Sequence, residues 1–366
     1  MTYNDCFLFL SQCLTLSHSS KHHQSVKYTL ENTTMDWEAL VKLSTTHYVL
    51  PAWYYNLKTA NFLNFLPEDL VAYMEHIAEL NTDRNTEIIK QAQEINTLLQ
   101  QEGIVPIFLK GTGNLLSKLY KHPGERMIGD IDFLVAPENL GKAQELLLNV
   151  GYTPIAADAL DAPITKHLPR IAHAHKIAAV EVHKDMTIGK YAEEFNYATI
   201  KDNLSVSDQI HTLSDVHKLD LSIIAKQIND DGQFFKNLSL RNAYDVLCLS
   251  FQSPEHPGFH KYRLLSSPLN NFVCLCGYVF DLPIFNFEFD ASAKAYLENF
   301  KKLLSSDRYR KRQFKKTKRR VFLNSRARMI AKAITDKTLR KWLIKHLFSR
   351  EWINRRILKK TPTQTS

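Results

Sequence analysis

From residue 36 to about 103 apolar side chains recur at helical spacing. Trp37, Leu40, Val41 and Leu43 open one amphipathic segment, residues 70–80 form a second, and 85–101 a third in which Ile88, Ile89, Ala92, Ile95, Leu98 and Leu99 share a face. Gly103 is well placed to end that last helix. From 104 to about 200 the rhythm changes. IVPIFL, GDIDFLV and AAVEVH read as strands, NLLSKLY as a short helix, and PENLGKAQELLLNV as a helix with Pro137 near its start. Strands separated by helices predict a mixed α/β sheet. Helical spacing returns from about 207 to 251, where Leu240, Ala243, Tyr244 and Leu247 line one face, and Pro254, Pro257 and Pro268 then break it. Beyond about 290 the chain is again helix-compatible, up to the polar tail TPTQTS. The predicted organisation is an α+β protein with an N-terminal helical region at 1–103, a mixed-sheet core at 104–200, a helical region at 201–300 and a basic helical segment at 301–366. Clear helical periodicity begins only at Met35, which marks it as an alternative start.

A chain of 366 residues exceeds what a single core usually fills, so length alone suggests two or three domains. Cys6, Cys13, Cys248, Cys274 and Cys276 are odd in number, sit in apolar contexts and form no CxxC pair, which favours reduced thiols over a disulfide framework. Cys274 and Cys276 lack zinc spacing and read as core. No uncharged apolar run reaches about eighteen residues, so no spanning helix is expected. The N-terminal MTYNDCFLFLSQCLTL lacks a basic leader and carries Asp5, which points to a cytoplasmic protein.

Charge is very unevenly distributed. Residues 301–360 hold 23 of the 47 Lys and Arg but only 3 of the 38 Asp and Glu, a net of +20 against −11 for the rest. Within them RYRKRQFKKTKRR, 308–320, interleaves Tyr309 and Phe314 with cations, a composition that suits a polyanion such as RNA or an anionic membrane surface. The plainer reading is a solvated helical face or a flexible tail.

The chemistry is concentrated in 104–183. Successive side chains on a strand point to opposite faces, so Asp130 and Asp132 of GDIDFLV project together, away from Ile131, Phe133 and Val135. Two carboxylates in an apolar strand repel each other and are costly to desolvate without a compensating cation. In AAVEVH the same alternation puts Glu181 and His183 on one face. If the two strands are neighbours, three carboxylates converge. Such a cluster suits Mg²⁺, with its octahedral oxygen shell shared between carboxylates and substrate phosphates. Upstream, Lys110-Gly111-Thr112-Gly113 stands between a strand and a helix, where small residues let backbone N–H groups approach phosphate. Neither KGTG nor DxD is specific alone; the order strand, KGTG, helix, Arg126, GDID strand, helix, ExH strand is much more so.

FLKGTGNLLSKLY, ERMIGDIDFLV and VEVHKDM together resemble the uncharacterised nucleotidyltransferase family of the polymerase-beta-like nucleotidyltransferase superfamily, with the helices from Asp36-Trp37 and the LRNAYDVL segment fitting its layout over about 36–250. The resemblance implies a polymerase-beta-like core between helical regions, and Mg²⁺-dependent transfer of a nucleoside monophosphate from an NTP to a hydroxyl-bearing acceptor with release of pyrophosphate. It implies that Asp130 and Asp132 ligate Mg²⁺, with Mn²⁺ as an alternative, and that Glu181 is the third acid, favouring deprotonation of the attacking hydroxyl. Lys110 and Arg126 would contact the triphosphate, near the Gly111-Thr112 turn. In the wider superfamily a Gly-Ser turn precedes the paired acids by about ten residues, whereas Gly111 lies 19 before Asp130. The plainer role for Arg126 is an ion pair with a structural carboxylate. His183 either orients Glu181, touches substrate or is a core histidine; His167 could also face the site, while His173 and His175 read as surface or core. Two other classes stay open: a catalytically inactive nucleotide- or RNA-binding module, and a hydrolase holding Zn²⁺ through His167, Glu181 and His183.

Overall fold

Five helices lead into the sheet. In a computed structural model, which describes residues 1–155, 165–253, 259–285 and 289–347, α1 (Tyr3–Cys13) packs with α2 (Ser20–Asn32), α3 (Trp37–Thr46) and α4 (Leu50–Thr59), and α4 packs against α5 (Glu68–Gln101). A capping box of Thr2 and Asp5 starts α1. That helix then buries Phe7, Phe9, Leu10 and Cys13, so the residues before Met35 belong to the core. The segments 70–80 and 85–101, expected as separate helices, are one 34-residue helix, because LNTDRNTE between them holds neither Gly nor Pro. Its buried polar residues have a purpose. Asn81 donates to the carbonyls of Gly124 (2.6 Å) and Arg126 (3.2 Å), and Asn85 to those of Pro123 (2.6 Å) and Arg126 (2.7 Å), which fastens the loop entering the DxD strand.

Among the described residues the sheet has seven strands: β1 (Ile107–Phe108), β2 (Asp130–Leu134), β3 (Thr153–Pro154), β4 (Ile171–Ala172), β5 (Ala179–His183), β6 (Leu204–Ser207) and β7 (Ile210–Leu213), in the order β3-β4-β5-β2-β1-β7-β6. It is mixed, with β2–β5 and β1–β7 parallel and the other pairs antiparallel. The sheet continues past residue 200, and β7 occupies residues expected to be helical. The β6–β7 hairpin turns on Asp208 and Gln209, both at positive φ (50° and 62°), a two-residue turn lacking the usual Asn-Gly signature. Central β2 buries Ile131, Phe133 and Leu134, and α6 (Lys110–Leu116) and α7 (Leu140–Asn149) pack against this region.

The remaining helices are α8 (Tyr197–Ile200), α9 (Asp215–Ile224), α10 (Gly232–Phe235), α11 (Leu240–Gln252), α12 (Ser266–Phe280), α13 (Ala291–Ser305), α14 (Asp307–Thr335) and α15 (Lys337–Leu347). α12 is largely core, with Phe272, Val273, Leu275, Cys276, Val279 and Phe280 buried, and it packs on α1 and α13. The boundary expected at 301 falls inside α13, whose Phe300, Leu303 and Leu304 are buried. Pro254, Pro257 and the basic residues beyond 347 lie outside the described residues. All five cysteines are free and buried, and no described helix is long and apolar enough to cross a membrane.

Candidate active site

Parallel pairing of β2 with β5 aligns Asp132 with Glu181 and Leu134 with His183. In-register neighbours share a face, so the alternation of GDIDFLV and AAVEVH becomes a physical cluster. Asp132 and Glu181 are 7% and 9% exposed, deep enough for their charges to need partners. Lys110 supplies one. Its ammonium donates to Asp132 Oδ1 at 2.5 Å and stands 3.8 Å from Glu181 Oε2. The lysine holds a left-handed backbone, φ 51°, at the join of β1 and α6, a conformation that costs a residue with a Cβ about 1–2 kcal/mol.

KGTG proves to be the first turn of α6 rather than a loop before it. Gly113 is required there, because a Cβ would stand 2.5 Å from the Phe108 carbonyl oxygen. The Thr112 hydroxyl, expected near phosphate, is instead spent on the Asp130 carbonyl at 3.0 Å, tying α6 to β2. Gly111 is buried against Ile128.

Asp130 sits at the rim with its Oδ1 accepting from Arg170 Nη2 at 2.7 Å, while Arg170 Nε is 3.7 Å from Glu181 Oε1. Arg170 thus bridges two of the three acids. Burial raises the Asp130 carboxyl above its ordinary range, with Arg170 opposing. Burial acts in the same direction on Asp132, but Lys110 and then His183 overcome it and hold that carboxyl well below the usual range. Lys110 shows the converse, its burial outweighed by Asp132 and Glu181, so its pKa is raised. Lys166 is drawn down to about 8 by burial and by the adjacent Lys110 ammonium.

The segment carrying Lys166, His167 and Arg170 is held by β5. The Leu168 amide donates to the Val182 carbonyl at 2.9 Å, and the amides of Lys184 and Asp185 donate to the Lys166 carbonyl. His167 therefore lies opposite His183, with its Nε2 3.7 Å from Glu181 Oε2. His183 is fully buried. Its Nδ1 faces the Asp185 carbonyl (3.1 Å), and its Nε2 faces Asp132 Oδ1 (2.8 Å) and Glu181 Oε2 (3.3 Å). Every one of those neighbours is an acceptor. Without a metal Nε2–H therefore donates to Asp132, which helps hold that carboxyl ionised; a bound cation would take the Nε2 lone pair in place of that proton, leaving Nδ1–H to the Asp185 carbonyl.

Among the described residues, the ligand atoms of Asp132, Glu181 and His183 all lie within 4.8 Å of one another. The donor chemistry fits a divalent cation: an ionised carboxylate, a second beside it, a third at the rim, and an imidazole. Oxygen donors suit Mg²⁺, and the nitrogen is also acceptable to Mn²⁺. The set differs from the His167-Glu181-His183 grouping expected for zinc, since Asp132 takes the place of His167.

Arg126 requires a correction. Its guanidinium is buried and donates to Asp245 of α11 through Nε (2.8 Å) and Nη2 (2.9 Å), and to the Met127 carbonyl through Nη1 (2.8 Å). A planar fork spent on a buried carboxylate is not available to a triphosphate. The cations actually present at the carboxylates are Lys110, Lys166 and Arg170. The latter two escape sequence reading because ITKHLPR has no periodicity to place it, although its density of cations between two strands is a signal.

One protein-family model matches the chain, over residues 33–262; it describes an uncharacterised nucleotidyltransferase. The matched span runs from α3 through the sheet and α11, and so contains every carboxylate and cation of this cluster. No curated protein and no solved structure matches.

Proposed function

The chain belongs to the uncharacterised nucleotidyltransferase family, and from that premise we propose that it transfers a nucleoside monophosphate from an NTP to a hydroxyl-bearing acceptor, on a polymerase-beta-like core. The observation that carries this reading is the in-register pair Asp132 and Glu181 on adjacent parallel strands, with Lys110 against both. Asp130, Asp132 and Glu181 would hold Mg²⁺, or Mn²⁺, with His183 Nε2 as a further donor; the ion, when bound, neutralises triphosphate charge.

The reaction forms a bond from the acceptor oxygen to the α-phosphorus and breaks the bond from that phosphorus to the bridging oxygen, which departs with pyrophosphate. Glu181 accepts the acceptor's proton, in a site where Asp132 is already ionised. Lys110 and Arg170 donate to the triphosphate, Lys110 as a point charge and Arg170 as a fork. Such chemistry depends mainly on positioning and charge neutralisation. Each of the four NTPs, labelled at the α-phosphate, is incubated with small-molecule, protein and RNA acceptors. Label on an acceptor, equimolar pyrophosphate and loss of both in EDTA are expected. Nucleotide binding without transfer identifies an inactive binding module, and stoichiometric zinc with hydrolysis alone identifies a hydrolase.

The partner reading rests on α14. Lys315, Lys316, Lys318, Arg319 and Arg320 are all exposed on this 29-residue helix, with Phe314 half exposed among them. We read this surface as an RNA contact. Replacing Lys315, Lys316, Arg319 and Arg320 by glutamine is expected to flatten the dependence of log affinity on log salt by about 0.7 per lost single-strand phosphate contact. Transfer to a small acceptor stays unchanged. Filter binding over a salt series reads this, and an unaltered slope removes the RNA contact, as does equal loss of binding to anionic vesicles in place of RNA.

A further inference from the structure

A cavity of about 340 Å³ opens away from the carboxylates, among α1, the α3–α4 junction, the start of α11 and the first turns of α14. Asp130, Asp132, Glu181 and Lys110 are all absent from its wall. Two cations that the proposed chemistry does not use are present there. The guanidinium carbon of Arg241 lies 4.9 Å from the Tyr48 ring centroid, and its Nε is buried without a hydrogen-bond partner. Asp245, on the next turn of the same helix, is taken by Arg126. Lys226, on the turn that follows α9, is half-buried, and burial draws it below the usual lysine range with only partial relief from Asp230. Arg241 is lowered likewise, by burial and then by Arg126. Asp230, in the same wall, offsets both only in part, and a further anion held by the two cations relieves what remains.

The rest of the wall is specific as well. Phe235 and Phe314 stand with centroids 5.3 Å apart, Phe314 half exposed at the cavity, and supply aromatic faces for a flat ring. The Oδ1 of Asn237 is buried without a partner, an acceptor waiting for a donor. Arg310 is already occupied, donating to the Leu303 carbonyl at 2.9 Å, paired with Asp307 and stacked over Tyr3, so it adds positive potential but few free donors.

We propose that this cavity is a second binding site, for a small phosphorylated ring compound that also carries a ring N–H or hydroxyl, a class that includes the nucleoside monophosphates. Arg241 and Lys226 take the phosphate, the phenylalanine faces take the ring, and Asn237 Oδ1 takes the ring donor. A cavity of this size lies at the lower end of the usual range for small ligands, about 300–1,000 Å³. It is built jointly by the basic helix α14 and by α1 and α11, so its occupant would join them.

Calorimetric titration of the full chain in EDTA with UMP, uridine and inorganic phosphate tests this. The unsubstituted chain is expected to bind UMP, and to bind uridine and phosphate at least about tenfold more weakly. Arg241→Gln and Lys226→Gln should each weaken UMP by at least about tenfold, whereas Asp132→Asn should leave it unchanged. Should Arg241→Gln unfold, as read by thermal melting, Lys226→Gln alone decides. No UMP binding, binding that both variants keep, phosphate binding as tight as UMP, or binding lost in Asp132→Asn would each overturn the site, and the last would assign the nucleotide to the carboxylate cluster instead.

Discussion

Asp132→Asn is expected to lower nucleotidyl transfer by at least about 10³-fold, ~4 kcal/mol of transition-state stabilisation, in a protein that stays folded. Asparagine keeps the shape of the side chain and an oxygen able to accept from Lys110, but removes the one carboxylate that Lys110 and His183 together hold ionised. The folded state should tolerate this. Glu181 remains 3.8 Å from Lys110 to compensate its charge, and the repulsion between two carboxylates in register on neighbouring strands is relieved. A cooperative thermal transition below the parent's, as the lost contribution of the ionised carboxylate requires, alongside transfer measured well below that temperature with saturating metal and NTP, is the expected pair of results. Transfer within about tenfold of the parent would remove Asp132 from the reaction.

The same substitution has a signature in pH. Because the folded carboxyl lies below the unfolded one, its ionisation contributes stability that is fully present above about pH 4, the ordinary aspartate value, and is lost as pH falls through the lower folded value. Asp132→Asn lacks that acid-sensitive contribution, so its stability should fall less steeply below pH 4 than the parent's.

Legibility in the sequence followed the reach of each physical signal. Alternation on a strand is local, so GDIDFLV and AAVEVH revealed which side chains share a face before any pairing was known, and parallel register then joined Asp132 to Glu181. The short βα order was legible for the same reason, but Gly113 is required by the Phe108 carbonyl and not, as expected of the KGTG turn, by an approaching phosphate. What failed to show was set by distant partners. Asn81 and Asn85 look like breaks in a helical face, yet they are buried because they hold the carbonyls of residues 123–126. Arg170 carries no local mark of its task, since its orientation comes from pairing of its segment with β5. The β6–β7 hairpin hid behind an Asp-Gln turn whose positive φ values are ordinarily left to asparagine and glycine.

Arg126→Met is expected to destabilise the protein by about 3–5 kcal/mol, a large share of a typical total of about 5–15 kcal/mol. The reason is the charge left behind. Asp245 is 2% exposed and accepts two hydrogen bonds from Arg126 and one from the Tyr120 hydroxyl at 2.6 Å, which also accepts from Asn114 at 3.1 Å. Without the guanidinium, a buried carboxylate keeps only the tyrosine. Replacing both partners, Arg126→Met with Asp245→Leu, removes the orphaned charge and should recover much of the loss, so that denaturant titrations of the two single variants and the double one give a coupling of several kcal/mol. A contact between Arg126 and triphosphate would give the opposite pattern: unfolding unchanged, KM for NTP raised, and no rescue by Asp245→Leu. Because the pair fastens the loop entering β2 to α11, with Asn81 and Asn85 gripping the same loop from α5, its loss should also loosen Asp130 and Asp132. Transfer measured well below the melting temperature should therefore fall in kcat, with KM for NTP unchanged, in Arg126→Met and in the double variant alike, the mark of a residue that positions the acids without touching the nucleotide.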